Sequence, residues 1–155
     1  MKRRTRLRRV EVIQGSPAHS RQLAPLFDAY RQFYKQRSDM AGARKFLRKR
    51  LARGESAVFL AMDGETAVGF VQLYPSFDSV TMGSVWILYD LFVTPAARKR
   101  GVAKLLMDRA RRFAVETKAK RLVLETAVDN YPAQKLYKKL GWKRDTVFHR
   151  YYLDV

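Results

Sequence analysis

Residues 86–114 read WILYDLFVTPAARKRGVAKLLMDRARRFA, and the order of side chains in this stretch decides the fold. An apolar, aromatic run (Trp86, Ile87, Leu88, then Leu91, Phe92, Val93) closes at Thr94-Pro95. A basic loop with a single glycine follows, and then a helical pattern begins. The order is strand, turn, helix. Val102, Leu105, Leu106, Ala110, Phe113 and Ala114 recur at helical spacing, with Lys104, Asp108, Arg111 and Arg112 on the other side, so one face of this helix belongs to a core.

The loop from Arg98 through Lys99, Arg100, Gly101 and Val102 to Ala103 sets the free backbone N–H groups of a helix start beside three cations, and Gly101 lets a ligand come close to the backbone. Such a corner holds phosphate. It has neither the GxxxxGK[ST] nor the GxGxxG spacing. A basic turn before a helix is also an ordinary solvated surface, and on these residues alone both readings stand.

Arg98-x-x-Gly101-x-Ala103 has the form [RQ]xxGx[GA] and follows a Leu-Phe-Val strand end. A second block lies downstream, Asn130-x-x-Ala133-x-x-Leu136-Tyr137-x-x-Leu140-Gly141-Trp142. With these two blocks the chain resembles the GNAT family of N-acetyltransferases over about residues 10–153. The resemblance implies an α/β fold, a mixed central sheet flanked by helices. In that family the strand before the loop and the next parallel strand splay apart, and the pantetheine arm of acetyl-CoA pairs with the opened backbone. Carried over, Leu91, Phe92 and Val93 offer backbone to pantetheine, while Arg98, Lys99, Arg100, Gly101, Val102, Ala103 and Lys104 hold the pyrophosphate. Asn130 becomes both helix N-cap and cofactor contact. Tyr137 becomes the general acid that protonates the departing thiolate of coenzyme A, which a phenol can do because its pKa exceeds that of a thiol. Without the resemblance, Leu91 to Val93 is a plain core strand and Tyr137 a packing tyrosine.

The rest of the chain fits around the quoted stretch. Residues 10–13 suggest a short strand, ended by Gly15-Ser16-Pro17. A helix follows with Leu23, Leu26, Phe27, Tyr30, Phe33 and Tyr34 on one face and Pro25 inside it. Ser38-Asp39 offers an N-cap for a second helix bearing Ala43, Phe46, Leu47 and Leu51, ending near Gly54. Residues 57–62 and 66–74 form a hairpin about Asp63-Gly64, with a type I′ turn expected. Residues 75–79 break the pattern and 80–93 resume it as a long strand. RLVLE at 121–125 predicts a parallel strand buried on both faces, and 130–140 a helix stopped by Gly141. A terminal hairpin is expected over 142–144 and 147–153. The element order is β-α-α-β-β-β-α-β-α-β-β.

Composition bounds the chemistry. The 155 residues suit a single N-acetyltransferase domain over 10–155, preceded by a basic arm over 1–9, where six of nine residues are Lys or Arg. Cysteine is absent and the two histidines, His19 and His149, lie far apart, so neither a thiolate acyl-enzyme nor a metal centre is expected. No apolar run reaches membrane-spanning length, and the basic N-terminus has no apolar run after it, which reads as a cytoplasmic chain without a membrane partner. The formal charge of +18 favours phosphorylated ligands, of which coenzyme A is one. Nucleic acid at the basic arm is open but not favoured, and so is a homodimer.

Acyl transfer needs an unprotonated amine, so a base is expected near the acceptor. Asp90 and Glu125 are the candidates. A carboxylate within Leu88-Tyr89-Asp90-Leu91 must be paired, exposed at a bulge, or functional. Glu125 ends a strand where ligands bind in α/β sheets, and a salt bridge is its alternative. Polyamine acetyltransferases resemble the 88–91 stretch but carry Glu-Asp where this chain has Tyr89-Asp90, which argues against a polyamine. The expected activity is direct, metal-free transfer from acetyl-CoA to a primary amine of a small molecule or peptide. The rival is a catalytically silent domain of the same fold that docks its basic surface on RNA or an acidic partner.

Overall fold

The computed structural model describes residues 10–155, and the basic arm expected over 1–9 lies outside them. The described residues divide between Glu125 and Thr126 into two compact units.

The first unit is a five-stranded sheet in the order β1-β2-β3-β4-β5 with helices on both faces. Strands β1 (Glu11–Gln14), β2 (Ala57–Asp63), β3 (Thr66–Asp78) and β4 (Gly83–Val93) pair antiparallel in sequence order, and β5 (Arg121–Leu124) joins β4 in parallel through helix α3 (Val102–Glu116). The sheet is mixed, as expected. Alternation along β2 sends Val58, Leu60 and Met62 to one side, where they meet Leu23, Leu26 and Phe27 of α1 (Ser20–Phe33) and Ala43 and Leu47 of α2 (Met40–Ala52). Phe59 faces the other side and meets Phe113 of α3 edge-on at 5.3 Å. In α3, Met107 joins the buried residues, whereas Leu105 is exposed. Phe33 and Tyr34, at the end of α1, also leave the core.

The α1–α2 junction is built on one carboxylate. Asp28, buried on α1, accepts from Ser38 Oγ at 2.6 Å, from the Asp39 backbone N–H at 2.8 Å and from Gln32 Nε2 at 3.1 Å. Asp39 then caps α2 by accepting from the Gly42 N–H at 2.8 Å. Pro25 is tolerated inside α1, two residues before the first buried aromatic, Phe27.

Three expectations in this unit change. The hairpin closes with Asp63 paired to Thr66, so the central residues are Gly64 and Glu65. Positive φ falls on Gly64 alone, which is the type II′ pattern and not type I′. Residues 75–78 continue β3, because β2 pairs only as far as Leu73; beyond it β3 has only β4 as neighbour, and a strand with one free edge tolerates proline. The following strand therefore begins at Gly83, after a turn, and not at residue 80. Strand β5 is not buried on both faces: Arg121 and Val123 are exposed and Leu122 and Leu124 half-buried at the edge of the sheet.

The second unit holds α4 (Tyr131–Lys139), capped by Asn130, whose side chain accepts from the Ala133 N–H. The expected terminal hairpin is not formed. Asp145 Oδ1 accepts from the N–H groups of Val147 at 2.8 Å and Phe148 at 3.1 Å, which takes two donors that a strand ladder would use. Residues 142–155 form no strand, and Val147, Phe148, Tyr151, Tyr152 and Leu153 are exposed.

The bonds to Asp28 hold its carboxyl below the usual carboxylate range, the Ser38 hydroxyl foremost and the Asp39 N–H next. Asp28→Ala should cost about 1–3 kcal/mol by leaving these donors unmet. A depressed pKa contributes stability above the unfolded value and loses it as pH falls through the folded one. The difference between wild type and variant in thermal unfolding should therefore be full at neutral pH and shrink below about pH 4.

Candidate active site

The register of β4 has one extra residue. Leu88 lies opposite Leu73 and Asp90 opposite Gln72, so Tyr89 has no partner and forms a bulge. Because opposed residues share a face, the bulge sends Leu88 toward α3 and Asp90 toward α1, where strict alternation would have left both on one side. Beyond it, β4 runs through Val93 paired to β3 only, since its pairing with β5 stops at Leu88–Leu124. The outer backbone edge of residues 89–93 thus has no strand beside it among the described residues.

Asp90 is 2% exposed and Gln72 fully buried. Gln72 Nε2 donates to Asp90 Oδ2 in a short bond, while Gln72 Oε1 has no partner among the described residues. Above them lies Tyr30 of α1, whose hydroxyl donates to the Tyr89 carbonyl at 3.1 Å and also reaches the Asp90 carboxylate. Tyr34 meets Tyr30 edge-on at 5.1 Å, and Tyr74 meets Tyr89 at 5.4 Å. Burial pushes the Asp90 carboxyl up to about 6, against the opposing pull of its bonds from Gln72 and Tyr30. Burial, and then the charge of Asp90, push the phenols of Tyr30 and Tyr74 up, so both remain proton donors at neutral pH. The result is one buried carboxylate poised near neutrality under a tyrosine rim.

At the end of β4, the Thr94 N–H closes on the Val68 carbonyl at 2.9 Å and a single 3-10 turn, Pro95–Ala97, leads into the basic loop. Arg98 Nε donates to the Val93 carbonyl at 2.9 Å and its guanidinium stacks over Phe92, which fixes the loop to the strand. Lys99 and Gly101 both have positive φ, at 59° and 80°, and the Lys99 conformation costs about 1 kcal/mol that the fold must supply. Gly101 is the N-cap of α3; no side chain caps the helix, and a Cβ at Gly101 would meet nothing within 4 Å. The first N–H groups of α3 therefore face open space beside Arg98, Lys99 and Arg100, none of which makes an ion pair among the described residues. Lys104 is instead held by Asp108.

The sequence profile of the acetyltransferase (GNAT) family matches residues 23–142. The chain belongs to that family. It is 41% identical over 146 residues to the uncharacterized N-acetyltransferase YhfO of Bacillus subtilis (strain 168), spanning 94% of this chain and 98% of the relative. The crystal structure of a probable acetyltransferase matches with a TM-score of 0.88 at 44% identity, over 94% of this chain and 97% of that one. The aminoglycoside N-acetyltransferase AAC(6')-Iy, in complex with CoA, matches with a TM-score of 0.79 over 96% of this chain and 99% of that one; at 23% identity the likeness is one of fold.

Of the residues singled out in this GNAT chain, the structure gathers Leu91, Phe92 and Val93 on the unpaired part of β4 and Arg98 to Lys104 at the α3 start, with the Val93 carbonyl already taken by Arg98. Asp90 is buried at the bulge. Glu125 follows the last residue of β5, exposed, one step past the point where β4 and β5 part. In the second unit, Asn130 is the N-cap of α4, and Tyr137 is half-buried with its ring 6.1 Å from Trp142. Sequence reasoning missed Gln72 and Tyr30. Gln72 was detectable as the polar residue inside Phe70-Val71-Gln72-Leu73, whereas Tyr30 is indistinguishable from a core residue on its helix face.

A group whose folded pKa is raised adds stability below its unfolded value and loses it as pH rises through the folded one, here from about 4 to about 6. Asp90→Asn should therefore be more stable than wild type at pH 8, by up to about 3 kcal/mol, with the gap closing by pH 4; denaturant unfolding at the two pH values measures it.

Proposed function

We propose that this protein transfers an acetyl group directly from acetyl-CoA to a primary amine carrying few positive charges, with Asp90 as the amine's proton acceptor. The buried carboxylate at the β4 bulge carries this reading: a general base works best when its pKa lies near the operating pH, and the Asp90 environment provides that. Bound acetyl-CoA supplies the activated thioester. The opened backbone of Leu91 to Val93 suits its pantetheine arm, and the uncapped α3 start with Arg98, Lys99, Arg100 and Gly101 suits its pyrophosphate. Val102 and Ala103 add N–H groups, while Lys104 contributes less because Asp108 holds it. The fold neighbour that carries CoA supports the same cofactor.

Asp90 takes a proton from the acceptor ammonium, leaving a neutral nucleophile. Tyr137 keeps the role the family resemblance gives it, donating its Oη proton to the departing sulfur, and Asn130 keeps its cofactor contact. Glu125, exposed at the end of β5, is the secondary carboxylate. Acceptor charge is limited by the surroundings: one carboxylate lies under the rim, and Arg50, paired to Glu55 at 2.7 Å, bears on Tyr74 from α2. A second ammonium there would meet a cation.

Thiol release from acetyl-CoA tests this with tyramine, an alanyl peptide and spermidine as acceptors. The two singly charged amines should show higher kcat/KM than spermidine, and Tyr137→Phe should lower kcat by about 10²-fold or less. Release with none of the amines, or a preference for spermidine, would count against the acceptor class. Gly101→Glu, which sets negative charge and a side chain at the α3 start, should abolish acetyl-CoA binding in calorimetry; unchanged affinity would remove the loop from the cofactor site.

A further inference from the structure

Asp90 has a difficulty as a base: its carboxylate is 2% exposed, and the acceptor has to reach it. The half-buried Tyr30 hydroxyl lies beside it, bonded to the neighbouring Tyr89 carbonyl. It has one proton and two acceptors within reach, the Tyr89 carbonyl at 3.1 Å and the Asp90 carboxylate. Its ring is fixed by Phe27 at 6.3 Å, Phe70 at 6.1 Å and Tyr34 at 5.1 Å, so the oxygen is held in place by packing independent of its hydrogen bonds.

We infer that Tyr30 is a catalytic residue, the relay that carries the acceptor's proton to the buried Asp90. The inference rests on the reading of Asp90 as proton acceptor. One ammonium N–H bond breaks and its proton joins Tyr30 Oη, while the original Tyr30 proton leaves Oη for an Asp90 carboxylate oxygen. The amine is left neutral with its lone pair, Tyr30 is again a neutral phenol, and Asp90 is a carboxylic acid. No electrons change hands. Gln72 fits both ends of this step, since its Nε2 donates to the carboxylate and its unpartnered Oε1 can accept from the acid once the amide turns over. The other groups facing the pair are Tyr34 from α1, Tyr74 from β3, Tyr89 on β4 and Arg50 from α2, which acts through Tyr74. The tyrosines are weaker acids than the carboxyl, and Arg50 carries a permanent charge, so Asp90 is the group among them that takes the proton.

Tyr30→Phe keeps the ring and removes the relay. With acetyl-CoA and tyramine, kcat at the high-pH plateau should fall about 10²-fold with KM for acetyl-CoA unchanged. The acid limb should move to higher pH, because one of the bonds favouring the Asp90 carboxylate is gone. Carbon-13 NMR of labelled aspartate reads the same upward shift in the enzyme alone, with no acceptor needed. The Tyr30→Phe/Asp90→Asn double variant should be no slower than the slower single variant, as for residues acting as one unit. A Tyr30→Phe enzyme with the wild-type plateau while Asp90→Asn is slow would overturn the relay and leave the base. An Asp90→Asn enzyme at the wild-type rate would remove the base reading and the relay with it. An unmoved Asp90 titration in Tyr30→Phe would also overturn the relay.

Discussion

The bulge at Tyr89 is the constraint on which the candidate site depends. A strand has a side-chain period of two, so every residue of β4 after Leu88 changes face when one extra residue is inserted. The insertion puts Asp90 on the α1 side opposite Gln72, keeps Leu88 in the α3 core opposite Leu73, and leaves the Tyr89 carbonyl for Tyr30. It also coincides with the end of pairing to β5, so the same point in the chain frees a backbone edge and buries a carboxylate. Removing the bulge would return Asp90 to the α3 face, opposite Val71 and away from Gln72 and Tyr30.

Global and local charge have opposite signs here. At +18 the protein attracts anions from a distance, and Arg98, Lys99 and Arg100 at the α3 start, which make no ion pair among the described residues, concentrate that attraction where no side chain caps the helix. Charges farther than about 8 Å are largely screened at physiological salt, so a cation close to Asp90 responds chiefly to its immediate surroundings. Burial of Asp90 costs stability at neutral pH, whereas Asp28, the other buried aspartate, is bonded by Ser38 and the Asp39 N–H and holds the α1–α2 junction.

Residues 86–114 by themselves determined the strand-turn-helix core of the fold, and together with the block at 130–142 they pointed to the family. Apolar spacing, Pro95 and Gly101 fix strand, turn and helix through local chemistry, and those rules hold whatever packs nearby. The same is true of the Asp39 and Asn130 caps and of the turn into α3 at Gly101. Tertiary structure alone decided the rest. Whether Pro75 breaks β3 depended on where β2 ends, and the width of β5 exposure on its place at the sheet edge. The aromatic terminal segment has strand-forming residues, yet Asp145 takes the N–H groups it would need. Above all, the sequence shows Tyr30, Gln72 and Asp90 as sixty residues of unrelated chain. Only strand register and the packing of α1 bring a phenol, an amide and a carboxylate together, because register is set by pairing across the sheet and not by any residue's own preference.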